Sequence, residues 1–407
     1  MPGALSHIRV LDLTRILAGP WCTQILADLG AEVIKIERPG AGDDTRAWGP
    51  PYLKDTDGND TRESAYYLSC NRGKKSVTLD LSTTGGQDIV RKLASQSDLL
   101  IENYKVGGLR QYGLDYESLK GANPRLIYCS ITGFGQTGPY ASNAGYDFII
   151  QAMGGMMSIT GERDDLPGGG PQKVGVAVSD LMTGMYATVA LLAALAHRER
   201  TGEGQYIDMA LLDSEVAMVA NLGSNYLISG KAPGRMGNAH QSIVPYQSFA
   251  TADGHMILAV GNDNQFSKFC GVAGRPEVAL DPRFATNPNR VRNRPMLVPL
   301  VAEIMRTRTT RQWLEALEPA RVPVGPINNL AQVFADPQVQ ERGMKVEAPH
   351  PLAGKVPMVA SPINLSRTPV EHKIAPPTLG QHTDEILTAL LGLTEQEIAQ
   401  LRERGVL

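Results

Sequence analysis

The sequence is poor in cysteine, and its four cysteines are widely separated. Cys22, Cys70, Cys129 and Cys270 form no CxxC pair, which argues against a zinc knuckle and against a thioredoxin-like redox motif. Thiols scattered in this way are typical of a reducing compartment. We therefore expect a cytoplasmic protein that depends on neither a disulfide nor a metal.

A large excess of charge and a long apolar run are also missing. The net charge of −3 gives no electrostatic attraction to nucleic acids or acidic membranes, so we expect neither as a partner. No apolar run reaches the roughly 18 residues of a membrane span. The longest, at 184–196, is interrupted by Thr188 and is typical of a buried core helix. The N-terminus has no basic region followed by an apolar run, so we expect no secretory signal.

The first 135 residues alternate short apolar strands with helix-like stretches. Such alternation is typical of βαβ units around a parallel sheet, whose ligands lie at the carboxyl ends of the strands. The predicted strands are 8–13, 31–36, 77–81, 99–102, 126–132 and 205–209. The predicted helices are 18–29, 84–95, 116–122, 179–198 and 212–228.

A second kind of pattern begins near residue 228. Two strand-like runs, 244–250 and 255–260, flank Asp253-Gly254, which predicts a hairpin, and further helices follow. We therefore predict a small α+β domain beside a large α/β, Rossmann-like domain, whose parallel sheet is built from both chain ends. The predicted bounds are 1–227 and 331–407 for the large domain and 228–330 for the small one.

A glycine-rich segment at 133–138 matches GxGxxG and directly follows a strand, which is half of a dinucleotide-binding fingerprint. The other half is missing. Pro139 follows at once, and residues 140–145 do not open the apolar helix whose N-terminus would hold a phosphate. We therefore interpret the segment as a glycine loop above the sheet and reject a nicotinamide-dependent dehydrogenase.

Several segments, in order along the whole chain, resemble the class III CoA-transferase family, which includes formyl-CoA transferase and the carnitine CoA-transferase. They are LTRILAGP at 13–20, GAEVIKIER at 30–38, NRGKKS at 71–76, ENY at 102–104, GYD at 145–147, DLMTG at 180–184 and GQHTDEIL at 380–387. The ordered set is far more specific than any one motif. Further segments resemble the succinate–hydroxymethylglutarate (glutarate) branch, namely GAGDDTR at 40–46, CSITG at 129–133, HQSIVPYQ at 240–247 and VGPINN at 324–329.

This resemblance implies an activity and an assembly. The expected reaction moves CoA from an acyl-CoA, succinyl-CoA by preference, to a dicarboxylate such as glutarate or hydroxymethylglutarate. Coenzyme A is then a substrate, and no permanently bound cofactor is expected. Two chains are expected to interlock as a homodimer. Two alternatives remain: an acyl-CoA racemase of the same fold and a CoA-binding protein without activity.

Asp180 occupies the position of the family's nucleophile, at the start of a long helix. A carboxylate of ordinary pKa is ionised at neutral pH without a general base, and the positive end of the helix favours that ionisation. The resemblance implies an aspartyl anhydride and an aspartyl-CoA thioester on this residue. By position alone, Ser179 or Asp180 could instead be an ordinary helix cap.

Tyr146 and Asp147 match a Tyr-acid pair at the family's active site. Alone, they also fit a buried tyrosine and a turn aspartate. The racemases carry histidine in place of Tyr146. Histidine can move an α-proton at neutral pH, whereas a tyrosine with a pKa of about 10 cannot, which favours transfer.

The resemblance also implies a set of CoA-binding residues: Ile16, Leu17, Ala18, Arg38, Leu79, Asn103 and Tyr104. Arg38 suits the task because a guanidinium stacks on adenine or binds phosphate, although a solvated surface arginine is the plain alternative.

Other charged residues are weaker candidates. A basic loop with Arg72, Lys74 and Lys75 could meet the CoA phosphates, or be a solvated turn. Arg235 or His240 could bind the distal carboxylate of a dicarboxylic acid. We interpret the tryptophans Trp48 and Trp313 as packing residues.

Overall fold

The structure, a computed structural model, describes residues 2–407 and contains two compact units. The first unit comprises the chain up to Met156 together with Val174–Ser229 and Pro337–Leu407. The second comprises Met157–Lys173 and Gly230–Asp336. Sequence analysis had not assigned residues 157–173 to the smaller unit.

Residues up to 229 contain eight strands and nine helices within the described chain. The strands are β1 (Arg9–Leu13), β2 (Glu32–Glu37), β3 (Tyr52–Lys54), β4 (Asp60–Ser64), β5 (Lys74–Thr78), β6 (Leu99–Glu102), β7 (Ile127–Thr132) and β8 (Tyr206–Ala210). The helices are α1 (Ala18–Asp28), α2 (Ala65–Ser69), α3 (Thr84–Ser95), α4 (Tyr116–Leu119), α5 (Asp147–Met153), α6 (Met156–Ile159), α7 (Val178–Thr201), α8 (Leu211–Met218) and α9 (Ala220–Ser229). Short 3-10 helices lie at Asp44–Ala47 and Arg110–Tyr112.

The second unit is built on an antiparallel sheet of order β11-β10-β9. Its strands are β9 (Tyr246–Ala250), β10 (His255–Ala259) and β11 (Val324–Pro326). Its helices are α10 (Asp263–Val272), α11 (Pro276–Leu280), α12 (Asn287–Arg292), α13 (Arg294–Met305), α14 (Thr310–Leu317) and α15 (Leu330–Ala335). The predicted hairpin around Asp253-Gly254 is confirmed, since β9 and β10 pair directly. The packing role predicted for Trp313 is also confirmed, because its side chain is fully buried against Phe269.

The C-terminal segment adds α16 (Pro337–Glu341), the antiparallel pair β12 (Lys345–His350) and β13 (Gly354–Val359), then α17 (Thr383–Leu391) and α18 (Glu395–Glu403). None of these strands joins the large sheet.

The large sheet has six parallel strands in the order β5-β2-β1-β6-β7-β8. All six precede residue 211, so the prediction that both chain ends supply its strands is wrong. The C-terminal segment contributes helices instead. The chain leaves β1 towards β2 on one side and later returns to β6 on the other. In open sheets, ligands bind at the carboxyl ends of the strands where the order reverses, which here is between β1 and β6.

Both faces of the sheet are buried, which explains why its strands read as nearly continuous apolar runs. On β1, Leu11 and Leu13 belong to one core with residues of α3, α17 and α18. Val10 belongs to the opposite core with residues of α1 and α7. Side chains alternate between the two faces of a strand, so β1 contributes to both cores.

Helix α7 extends over 24 residues, longer than the predicted 179–198. It lies close to α1, and a Cβ on Gly184 would come within 2.6 Å of the Ala18 carbonyl oxygen. By length and composition this helix could span a membrane, yet half of its most apolar window is buried inside the protein. A core helix of a soluble protein has the same properties, as the apolar run at 184–196 predicted.

Strand β5 begins three residues earlier than predicted, because it contains a buried lysine. The Lys74 Nζ lies 3.2 Å from Asp12 Oδ2 and donates to Asn71 Oδ1 at 2.8 Å. Both ionic side chains are fully buried. A sequence pattern treats lysine as a loop residue, but here the buried Asp12 on β1, two strands away in the sheet, compensates its charge.

Candidate active site

The loops that follow β1 and β6 are joined at the switch point of the sheet. The Arg15 N–H donates to Asn103 Oδ1 at 2.9 Å, and Asn103 Nδ2 donates to the Arg15 carbonyl oxygen at 2.7 Å. The predicted CoA residue Asn103 therefore holds the β1 loop through its backbone. Ile16, the residue after Arg15, has a φ of 73°, in the left-handed region that a β-branched residue rarely adopts. Such strain costs about 1–3 kcal/mol and is found mainly at functional sites.

Leu17 and Ala18 mark the start of α1 and are largely buried. Leu17 occupies the N-cap position but provides no side-chain cap for the helix. Their buried side chains leave the backbone as the part of this segment that can reach a ligand. The strained turn at Ile16 directs the chain from the sheet edge into this helix start.

Three other predicted CoA residues line one cavity of about 290 Å³ in the first unit. They are Arg38 after β2, Leu79 after β5 and Tyr104 after β6. Arg15 also lines it, with its guanidinium 5.7 Å from the centre of the Tyr104 ring. Guanidinium groups beside an aromatic ring suit a nucleotide, since they bind phosphate and stack on a base.

The basic loop predicted at 72–75 is wrong. Lys74 and Lys75 belong to β5, and all three basic side chains have acidic or carbonyl partners. Arg72 Nη2 lies 2.5 Å from Asp28 Oδ2, and Lys75 Nζ lies 2.8 Å from Glu385 Oε1. These residues hold elements of the first unit together, so their charges are not available to bind a phosphate.

Asp180 lies in the first turn of α7, where the N-terminal cap comes from another helix. Asp147 Oδ1 accepts the Ser179 N–H at 2.9 Å and lies 3.4 Å from the Asp180 nitrogen. The residue at the N-cap position, Ala177, provides no side-chain cap. The alternative that Ser179 or Asp180 caps its own helix is therefore wrong, and Asp147 has that role.

The pKa of Asp180 is raised to about 7, first by burial and second by the negative charge of Asp147. Only 9% of its surface is exposed. The expectation of an ordinary carboxylate, kept ionised by the helix end, is therefore wrong. Burial and a like charge outweigh the favourable end of α7, whose contribution is about 0.3–1 kcal/mol.

The structure separates the roles of the predicted Tyr-acid pair. Asp147 binds the start of α7, and its other oxygen accepts Gln151 Nε2 at 2.8 Å. Gln151 in turn accepts the Val174 N–H at 2.9 Å, which ties the segment before α7 to α5. Tyr146, at the N-cap position of α5, is 64% exposed in the single chain. It is thus adjacent to the site along the chain, but it is not the buried tyrosine of the alternative interpretation.

Tyr66 is not among the residues predicted from the sequence. The pKa of its hydroxyl is raised first by burial and second by the negative charge of Asp180, so the two groups interact electrostatically. Its ring makes an edge contact with Trp48 at a centroid distance of 5.2 Å. Trp48 is 45% exposed, so it packs against Tyr66 at the surface and is not a core residue. Tyr66 lies in a helix of five residues, too short to show a periodic pattern, although the NRGKKS motif begins only five residues later.

The candidates for binding a distal carboxylate lie in the second unit. Arg235 forms an ion pair with Asp164 and donates to the Glu162 carbonyl oxygen at 3.3 Å. His240 Nδ1 accepts the Ser242 N–H at 3.0 Å, and its ring contacts Tyr246. Both side chains are already held within that unit.

Comparison with known proteins identifies the relatives of this chain. Residues 5–383 match the family described as CoA-transferase family III. A succinate–glutarate CoA-transferase from Agrobacterium fabrum is 52% identical over 386 residues, which are 95% of either chain. A human succinyl-CoA:glutarate CoA-transferase is 44% identical over 402 residues, 99% of this chain and 89% of that protein. The crystal structure of a CAIB/BAIF family protein from Brucella suis, 50% identical, superposes with a TM-score of 0.85 over 96% of this chain and all of the other.

Proposed function

The chain belongs to CoA-transferase family III, and we propose that it moves CoA from succinyl-CoA to glutarate or a related dicarboxylate such as hydroxymethylglutarate. The observation that carries this proposal is the buried Asp180 carboxyl group at the start of α7, one turn before Gly184, where that helix meets the start of α1. The named substrates of the relatives from Agrobacterium fabrum and human support the choice of acids.

The proposed reaction uses Asp180 as a nucleophile. Its carboxylate attacks the thioester carbonyl of succinyl-CoA, CoA thiolate leaves, and a mixed anhydride forms. The thiolate then attacks the aspartyl carbonyl, which releases succinate and leaves an aspartyl-CoA thioester. The acceptor carboxylate reverses the two steps and departs as its CoA ester. Every intermediate keeps an activated acyl group, so no ATP is consumed.

With a pKa near 7, this carboxyl group is still ionised in part of the free enzyme at neutral pH, which is enough for attack in the proposed cycle. Burial also removes the hydration shell that weakens a carboxylate as a nucleophile, and it keeps water from hydrolysing the anhydride. Asp147 acts as a positioning residue, because it binds the first turn of α7 that carries Asp180.

The proposed CoA site follows the cavity and the switch-point loops. The nucleotide would occupy the cavity with Arg38, Leu79 and Tyr104. The backbone of Ile16, Leu17 and Ala18, held by Asn103, would guide the pantetheine arm towards Asp180. CoA enters and leaves as a substrate.

We further propose that the enzyme is a cytoplasmic homodimer. Apolar side chains on α5, α7, α8 and α9 remain exposed in the single chain, among them Ile149, Met153, Val189, Val216, Leu227 and Ile228. The last two are 81% and 87% exposed. A contiguous apolar surface is typical of a protein interface, and a second copy of the chain would cover it.

The test combines a panel of acids with a nucleophile variant. The enzyme is incubated with succinyl-CoA and glutarate, hydroxymethylglutarate or acetate, and new CoA esters are measured by mass spectrometry. We expect transfer to the dicarboxylates, and a loss of at least about a thousandfold in Asp180→Ala. Asp213→Asn, an exposed carboxyl group on α8, is the matched control and should keep full activity. Normal transfer by Asp180→Ala would overturn the mechanism, and transfer to acetate alone would overturn the substrate class.

A further inference from the structure

A third carboxyl group, in addition to those of Asp147 and Asp180, lies next to the start of α7. Glu215, on α8, is fully buried, and its Oε2 accepts the Ser179 hydroxyl at 2.7 Å. Its Oε1 is buried without a hydrogen-bond partner among residues 2–407. Burial of a carboxyl group that is only half satisfied is costly, so its presence beside the active site requires a reason.

The surrounding backbone is shaped around this side chain. A Cβ on Gly154, directly after α5, would lie only 2.3 Å from Glu215 Cγ. The glycine thus lets the end of α5 rest on the glutamate. Glu215 therefore contacts both the helix that carries Asp147 and the helix that carries Asp180.

Ser179 connects these groups in one turn of α7. Its hydroxyl donates to Glu215, and its backbone N–H donates to Asp147. The next residue is Asp180, whose N–H faces the same Asp147 oxygen. Two carboxyl groups from two different helices therefore hold the residue that immediately precedes the proposed nucleophile.

We propose that Glu215, acting through Ser179, is a positioning residue for CoA transfer that orients the first turn of α7 so that the Asp180 carboxylate meets the thioester carbonyl. The inference rests on the proposed function of Asp180. A nucleophile misplaced by about 1 Å loses roughly a hundredfold in rate, so a turn held at two points favours reaction. Burial and the charge of Asp147 raise the pKa of Glu215, which its bond with Ser179 opposes.

The test compares variants that break or keep the link. Glu215→Leu and Ser179→Ala should each lower kcat about tenfold or more, with the KM for succinyl-CoA within about twofold, because orientation and not binding is lost. Glu215→Gln keeps an oxygen that accepts the Ser179 hydroxyl and should restore kcat to within about threefold. The double variant Ser179→Ala/Glu215→Leu should be no slower than Glu215→Leu alone, because both substitutions remove the same hydrogen bond.

Ser214→Ala is the matched control. It removes a buried hydroxyl that donates to the carbonyl oxygen of Ala210, the residue directly before α8, and kcat should not change. Each variant is scaled to its folded fraction. If Glu215→Leu does not fold, Ser179→Ala and Glu215→Gln decide the question.

Two results would overturn the inference: a normal kcat in folded Ser179→Ala and Glu215→Leu, or losses that multiply in the double variant. Asp180→Ala is measured alongside. If Asp180→Ala retains transfer, the proposed function itself fails. If Asp180→Ala is inactive while Ser179→Ala and Glu215→Leu are normal, only the role of Glu215 fails.

Discussion

Two groups of charged side chains in the first unit differ in whether a nearby cation compensates their carboxylates. In the first group, Asp12 on β1 is paired with Lys74 on β5, and Asp43 is paired with Lys35 on β2 at 2.9 Å. At the start of α7, Asp147, Asp180 and Glu215 bring only acidic groups together. Although burial opposes it, Lys74 and Lys35 hold the pKa of Asp12 below its usual value. Burial and Asp147 raise the pKa of Asp180 instead.

Burial alone therefore does not mark a functional carboxylate. A compensated group is locked in its charged form and contributes to folding, whereas an uncompensated group costs stability and gains a pKa near neutrality.

The fold should be destabilised when the cation of the compensated group is removed. Lys74→Met leaves Asp12 buried without this partner, and we expect a loss of about 3–5 kcal/mol in the free energy of unfolding, measured by urea denaturation. Lys75→Met, at a partly exposed lysine of the same strand, is the control and should cost less than about 1 kcal/mol. Similar losses in the two variants would remove the distinction between them.

The uncompensated group should show the opposite behaviour. The pKa of Asp180 is higher in the folded protein than in the unfolded chain. The folded state therefore loses stability as the pH rises from about 4 to 7, and the loss is complete above 7. Asp180→Asn should therefore abolish transfer yet stabilise the fold at pH 8, by at most about 4 kcal/mol. The gain should vanish near pH 4. Thermal unfolding at both pH values checks this, and an equal effect at pH 4 and pH 8 would contradict the assignment.

The smallest effect concerns Asp147, the neighbour of the proposed nucleophile Asp180. Asp147→Asn removes one of the two causes that raise the pKa of Asp180. The rise of kcat/KM with pH reports this ionisation in the free enzyme, so its midpoint should move to lower pH by at most about one unit. The asparagine can still accept the Ser179 N–H, which limits structural damage. An unmoved midpoint, or one displaced to higher pH, would show that Asp147 does not tune the nucleophile.

Much of the fold was predictable because it depends on local periodicity. Five of the six strands of the large sheet were located with small errors, and the hairpin of the second unit was confirmed. β5 was displaced because Lys74 looks like a loop residue in the sequence. The strand order was not predictable, since it follows from which apolar faces pack together over long distances.

The candidate site divides in the same way. Family motifs indicated Asp180, Asp147 and the CoA residues, and the cavity brings Arg38, Leu79 and Tyr104 together. Tyr66 and Glu215 were missed, because each lies in a short helix without a motif of its own. The cap of α7 was assigned to the wrong residue, because Asp147 reaches it from a distance of 32 residues along the chain.

Residue types and their spacing were enough to predict the alternation of strands and helices, the family and the carboxylate at the start of α7. The behaviour of the buried charges became visible only in the folded chain. A lysine beside Asp12 and an aspartate beside Asp180 shift the pKa values of two similar carboxyl groups in opposite directions. The pKa of a buried group depends on its neighbours in space, and these come from distant parts of the chain.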